Sequence, residues 1–124
     1  VLLIGPSGSG KSDLLLRLID RGFALVADDR VEVDGLVASA PAGLSGLIEV
    51  RGLGILRLPC VASATVALVV RLQRGERLPM PARYDDLDLP MIDIDPFPAA
   101  APLLVELALD AVQGKAVHVT GAFA

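Results

Sequence analysis

Gly5-Pro6-Ser7-Gly8-Ser9-Gly10-Lys11-Ser12 is the stretch whose reading decides the fold of this chain. It has the spacing of a phosphate-binding P-loop: a glycine, four residues, then Gly-Lys-Ser. The glycines let successive backbone N–H groups turn inward around phosphate oxygens, and a following helix adds the positive end of its dipole. Lys11 supplies a point charge and Ser12 a hydroxyl for Mg²⁺. The flanks have the form this mechanism needs. Upstream, Val1-Leu2-Leu3-Ile4 is a continuous apolar run, as in a strand buried on both faces of a parallel sheet. Downstream, Leu14, Leu15, Leu18 and Ile19 recur at helical spacing, Asp13 and Arg17 stand four apart on the other side, and Gly22 is placed to end the helix. Strand, glycine loop and helix in this order predict an α/β domain that binds the phosphates of a nucleotide.

Working outward, residues 23–27 form a second apolar run, closed by Asp28-Asp29-Arg30. The two carboxylates then lie at the carboxyl end of a predicted strand, where open α/β sheets bind their ligands. Adjacent residues of an extended chain point to opposite faces, so only one of the pair can look at the nucleotide. Beside a P-loop, carboxylates have two uses: holding Mg²⁺, and accepting the proton of an attacking hydroxyl. Val31, Val33 and the Asp34-Gly35 pair predict a hairpin into residues 36–39. Residues 41–59 are punctuated by Gly43, Gly46, Gly52 and Gly54, and Glu49 and Arg51 alternate there with apolar neighbours, which puts them on one face of a short strand. Residues 65–72 are predicted as one further strand and the proline-rich residues 74–102 as mostly extended or loop. Pro102 opens a last helix over residues 103–112, ended by Gly114, and His118 reads as a polar position on a late strand.

Composition narrows the function classes. A length of 124 residues suits one compact domain, and 53% hydrophobic against 21% charged residues excludes disorder. The apolar runs break too early for a membrane span: residues 61–70 include Ala, Ser and Thr and stop at Arg71. A net charge of -4, with 3% aromatic residues and no Trp, counts against a nucleic-acid partner. The single Cys60 forms no internal disulfide and fits a reducing compartment, with the cytoplasm as the default location. The chain opens on Val1 without a signal-peptide pattern, which reads as a fragment whose own N-terminus lies upstream.

Three segments together carry a resemblance. The P-loop with Ser12-Asp13, then Arg21-Gly22-Phe23-Ala24-Leu25-Val26-Ala27-Asp28-Asp29-Arg30-Val31, then Ile48-Glu49-Val50-Arg51-Gly52-Leu53-Gly54-Ile55, resemble the C-terminal domain of the HPr kinase/phosphorylase family. The second and third segments are far more specific than the P-loop, which many unrelated NTPases share. The resemblance is clear over residues 1–58. It implies a P-loop kinase domain of the PEP carboxykinase-like type, with a mixed sheet and flanking helices, spanning residues 1–124 as one N-terminally incomplete domain. It implies an ATP- and Mg²⁺-dependent protein-serine kinase acting on HPr, the small phosphocarrier protein of the phosphotransferase sugar system. Carried over by position, residues 5–12 (Gly5, Pro6, Ser7, Gly8, Ser9, Gly10, Lys11 and Ser12) bind the nucleotide, Ser12 and Glu49 ligate Mg²⁺, and Lys11 orients the γ-phosphate. Asp29 matches the general base, Asp28 is the supporting acid of the same turn, Arg51 belongs to the signature, and Arg77 corresponds to the catalytic arginine. Family resemblance also carries a hexamer over to this chain.

The departures carry information too. The family has a functional histidine just upstream of the P-loop strand, whereas His118 is the only histidine here and lies near the other end. Where the family carries a P-V-x-P-G-R segment tied to phosphorolysis, this chain has Asp95-Pro96-Phe97-Pro98-Ala99, without arginine, which counts against the reverse reaction. The short stretch between Asp29 and Glu49 and the lack of a regulatory N-terminal domain look like the truncated form of α-class proteobacteria, in which the kinase serves regulation of the phosphotransferase system and of carbon and nitrogen metabolism rather than carbon uptake. Two rival readings stay open: a P-loop kinase for a small metabolite, with residues 79–98 as the only lid candidate, and a module that senses ATP without transferring phosphate.

Overall fold

The computed structural model describes residues 1–124. In chain order the elements are β1 (Leu2–Ile4), α1 (Lys11–Asp20), β2 (Glu32–Asp34), β3 (Val37–Ser39), β4 (Leu47–Val50) and β5 (Gly54–Arg57). They continue with β6 (Ser63–Thr65), β7 (Val69–Arg71), β8 (Ala82–Tyr84), β9 (Leu89–Asp93) and α2 (Ala101–Val112). Tertiary contacts gather them into two compact units, one of Val1–Lys11 with Ala67–Ala124, the other of Ser12–Val66.

The first unit is built on a four-stranded mixed sheet in the order β1-β7-β9-β8. β1, β7 and β9 run parallel, with Leu2 opposite Val69 and Val69 opposite Met91, while β8 is antiparallel to β9. Leu68, Val69 and Val70 have no exposed surface and form its centre, joined by Leu72, Leu89 and Ile94. β1 is half-buried rather than buried on both faces, because it is the edge strand of this sheet. α2 buries Ala101, Pro102, Val105 and Ala108, and its Pro at the first turn removes an N–H that has no intrahelical partner anyway. Directly opposite each other on β7 and β9, Arg71 and Asp93 form a two-pronged ion pair, at 2.7 Å from Nε and 3.0 Å from Nη2, and Gln73 Nε2 donates to the same carboxylate at 3.1 Å. The hydrogen bond from Arg71 holds Asp93 below the usual carboxylate range.

The second unit contains the three-stranded antiparallel sheet β2-β3-β6 and the β4-β5 hairpin. Its buried residues are Leu14 and Leu18 of α1 with Leu25, Ala38, Ile48 and Val66. α1 ends where the pattern predicts: the Phe23 N–H donates to the Leu18 carbonyl and the Gly22 N–H to that of Ile19, a Schellman closure that needs the φ of 101° at Gly22.

Several expectations from sequence give way. Residues 23–27 are not a strand: they join no ladder, and beyond the Phe23 bond that closes α1 their main-chain bond is from the Val61 N–H to the Leu25 carbonyl. Residues 65–72 are not one strand but the end of β6 and the whole of β7, which belong to different sheets; a continuous β-branched apolar run does not mark where its pairing partner changes. Arg51 lies in the turn after β4 and does not share a strand face with Glu49. The β2-β3 loop is Gly35-Leu36, one residue later than Asp34-Gly35, since Asp34 is already paired with Val37. His118 is outside any strand; its Nε2 lies 2.8 Å from the Thr120 carbonyl and its ring meets Phe123 edge-on.

Two outcomes are expected. Gly46 has φ 75°, and a Cβ there would lie 2.6 Å from the Leu58 carbonyl, whose own N–H bonds to Gly46, so Gly46→Ala should lower stability by about 2–4 kcal/mol in urea unfolding. The Arg71 and Asp93 side chains are 43% and 25% exposed, so solvent screens the pair and Asp93→Asn should cost only about 1 kcal/mol at neutral pH. A depressed carboxylate stabilises above its unfolded value and loses that contribution as acid protonates it. The gap between the parent and Asp93→Asn should therefore persist down to about pH 4 and close below it.

Candidate nucleotide and catalytic site

In the first unit, β1 delivers the chain into the glycine loop at the carboxyl edge of the parallel strands. Gly8 and Gly10 adopt φ of 81° and 94°, which side-chain-bearing residues rarely do. The Ser9 N–H donates to the Pro6 carbonyl at 3.1 Å and closes the turn. A Cβ on Gly5 would stand 2.7 Å from Ser9 Oγ and 3.2 Å from Ser9 Cβ, so a side chain at the start of the loop would have to displace Ser9. Ser9 Oγ is buried and has no hydrogen-bond partner, an unspent polar group inside a loop whose backbone suits anions. Lys11 Nζ donates to the Gly5 carbonyl at 2.5 Å and to that of Pro6 at 3.2 Å, which keeps the ammonium over the loop. Ser7 is exposed, and Gly10 packs beside Pro96 and Phe97 of the loop that follows β9.

In the second unit, the Ser12 hydroxyl donates to Asp28 Oδ1 at 2.7 Å, a short charge-assisted bond. The other oxygen, Asp28 Oδ2, accepts the backbone N–H of Glu49 at 3.2 Å. One carboxylate thus ties the start of α1 to β4, and it places the main chain of Glu49 beside the Ser12–Asp28 pair. Asp29 is exposed in the same bend, so the two acidic neighbours do differ in what they face, even though the segment leading to them is not a strand. The donors are a hydroxyl and carboxylates, the hard oxygen ligands that Mg²⁺ takes. No cluster of three or more His, Cys, Asp or Glu side chains forms a metal cage. A site of one or two carboxylates completed by substrate phosphates is the ordinary arrangement for Mg²⁺, so the residues present fit that ion.

Arg77 is exposed in the connection between β7 and β8 and takes part in none of these bonds. An open cavity of about 210 Å³ lined by Arg71, Glu76, Met80, Met91, Asp93 and Ala122 includes no residue of the glycine loop, and it is smaller than the ~300 Å³ at which ligand pockets begin. Sequence reasoning missed two features. Asp28 bonds directly to Ser12, sixteen residues away, and only the apolar run ending in a carboxylate hinted at it. Pro96 and Phe97 lie against Gly10, and no sequence signal links residues so far apart.

Because Asp28 satisfies two donors at once, Asp28→Ala should cost about 1–3 kcal/mol of stability and Ser12→Ala less. The double variant should lose less than the sum of the two; strict additivity in urea unfolding would mean that the two groups do not interact.

The HPr Serine kinase C-terminal domain family matches residues 1–90. The HPr kinase/phosphorylase of Cupriavidus necator is 38% identical over 139 aligned positions, which take in 98% of this chain and 43% of that protein. HPr kinase/phosphorylase 1 of Oceanobacillus iheyensis is 39% identical over 101 positions, covering 72% of this chain and 32% of the relative. Among solved structures, the Hpr(Ser) kinase/phosphatase of Coxiella burnetii superposes with a TM-score of 0.72 at 28% identity, covering 91% of this chain and 82% of that one. The chain therefore spans less than half the length of these curated relatives. Its mixed α/β architecture is that of the solved kinase. With nearly three quarters of its residues inside the family match and its glycine loop intact, the chain belongs to the HPr serine kinase C-terminal domain family.

Proposed function

We propose that residues 1–124 form one kinase domain that transfers the γ-phosphoryl group of ATP, in a Mg²⁺-dependent reaction, to a serine of the phosphocarrier protein HPr. The observation that carries this reading is the division of labour in the acidic pair: Asp28 is engaged by Ser12 and Glu49, while Asp29 beside it is exposed. A kinase of this type needs one carboxylate to organise the metal-binding hydroxyl and another that is open to an incoming hydroxyl.

In this mechanism residues 5–11 hold the phosphates through backbone N–H groups, and Lys11 exchanges its contacts with the Gly5 and Pro6 carbonyls for phosphate oxygens. Ser12 and Glu49 hold Mg²⁺, with Asp28 fixing both. Mg²⁺ held by these residues would supply neutralisation of phosphate charge. Asp29 takes the proton of the acceptor serine as its oxygen bonds to the γ-phosphorus and the bond to the β–γ bridging oxygen breaks, releasing ADP. Arg77, at the position of the family's catalytic arginine, is assigned to the developing charge of the transferred group. Little covalent chemistry is asked of the protein, which contributes positioning and electrostatics. Residues 95–101 contain no basic side chain, which supports the kinase direction over phosphorolysis. The exposed free Cys60 fits a cytoplasmic setting.

The test is transfer of labelled phosphate from ATP to HPr and to its serine-to-alanine form, with the full-length protein and Asp29→Asn. Labelling of unaltered HPr only, reduced about 10²–10⁴-fold by Asp29→Asn with ATP binding retained, is the expected result. ATP turnover stimulated by a small molecule and indifferent to HPr would replace this reading with a metabolite kinase. ATP binding without transfer to any acceptor would leave a sensor.

A further inference from the structure

We propose that Phe97 is the stacking platform for the base of the nucleotide whose phosphates lie in residues 5–11, an inference that rests on the phosphate-loop reading above. Three observations converge on it, all within the first unit. β1, β7 and β9 are parallel, so the glycine loop after β1 and residues 94–98 after β9 leave the sheet at the same carboxyl edge, the side on which parallel sheets bind ligands. At that edge the two loops touch: a Cβ on Gly10 would lie 3.2 Å from Pro96 Cγ and 3.4 Å from Phe97 Cε1. Leu72, just after β7, also borders the start of the glycine loop at Gly5, but it is buried and apolar, so among the residues bordering this loop Phe97 is the one that offers a nucleoside an exposed aromatic face.

The third observation is chemical. Ile94 and Pro96 are buried and anchor the loop, and the Phe97 N–H donates to Asp95 Oδ1 at 3.1 Å, which fixes the main chain from which the ring projects. The ring itself is 70% exposed, while Phe23, Tyr84 and Phe123 are all half-buried. Phe97 is thus the one aromatic side chain of these 124 residues with its surface turned to solvent, and it stands against the phosphate loop. A purine presents a flat face of matching size, and covering the ring with it removes apolar surface of both from water. Stacking of this kind tolerates any base, so Phe97 supplies affinity and direction for the nucleoside rather than a choice between adenine and guanine.

The experiment separates the base from the phosphates. Dissociation constants for ATP and for inorganic tripolyphosphate, both with Mg²⁺, are measured by titration calorimetry on the full-length protein and on Phe97→Ala and Phe97→Trp. Loss of the ring should weaken ATP about 5- to 100-fold and leave tripolyphosphate unchanged, and Phe97→Trp should restore ATP binding. An exposed side chain makes misfolding of these variants unexpected, and unchanged tripolyphosphate binding is itself the check. ATP affinity unaltered in Phe97→Ala, or an equal loss for both ligands, overturns the stacking role while leaving the phosphate loop intact. Failure of the unaltered protein to bind either ligand overturns the phosphate-loop reading and this one with it.

Discussion

Parallel pairing of β1 with β7 is the constraint on which the first unit depends. Leu2, Leu3 and Ile4 are paired with Val69, Val70 and Arg71, more than sixty residues further along the chain. Closing a loop of that length costs on the order of 4 kcal/mol of chain entropy. Complete burial of Leu68, Val69 and Val70, at roughly 1.5–3 kcal/mol each, exceeds that cost and explains why the run there is unbroken by polar residues. Once β7 is in place, β9 adds parallel to it and β8 returns antiparallel. The direction of these strands decides what meets the glycine loop. Because β1 and β9 point the same way, the loops that follow them share an edge, and Pro96 and Phe97 come to rest on Gly10.

A different device organises the second unit. Its strands are three or four residues long and its sheets small, so ladder bonds alone give little rigidity. Asp28 supplies a polar tie between the first turn of α1 and β4, using each carboxylate oxygen once. The same bonds give this carboxylate a geometry that suits a metal-linked role and leave Asp29 to face the surface. No polar or charged residue of the chain is fully buried, so Asp28 keeps some contact with solvent.

How much was legible in advance depended on the range of the interaction. The glycine loop, α1 and its Gly22 ending, α2 with Pro102, and the β2-β3 hairpin rest on contacts within a few residues, and the amino-acid pattern carries them almost to the residue. The strand expected at residues 23–27 failed because an apolar run records burial, and Leu25 is buried without a ladder partner. Alternation puts Arg51 on a strand face, but glycines at 52 and 54 turn the chain there first. Residues 66–70 are apolar throughout, so nothing in them marks the point at which the chain leaves one sheet for another.

The sequence by itself determined the chemistry that is present: a loop able to cradle phosphate, and a hydroxyl and three carboxylates suited to magnesium and proton transfer. Backbone φ preferences and side-chain functional groups are local properties, and a linear string states them completely. Only the tertiary structure decided which carboxylate bonds to Ser12, that the backbone of Glu49 stands beside it, and that an exposed aromatic ring borders the glycine loop. Those outcomes follow from strand direction and register, which are set by the burial of residues far apart in the chain.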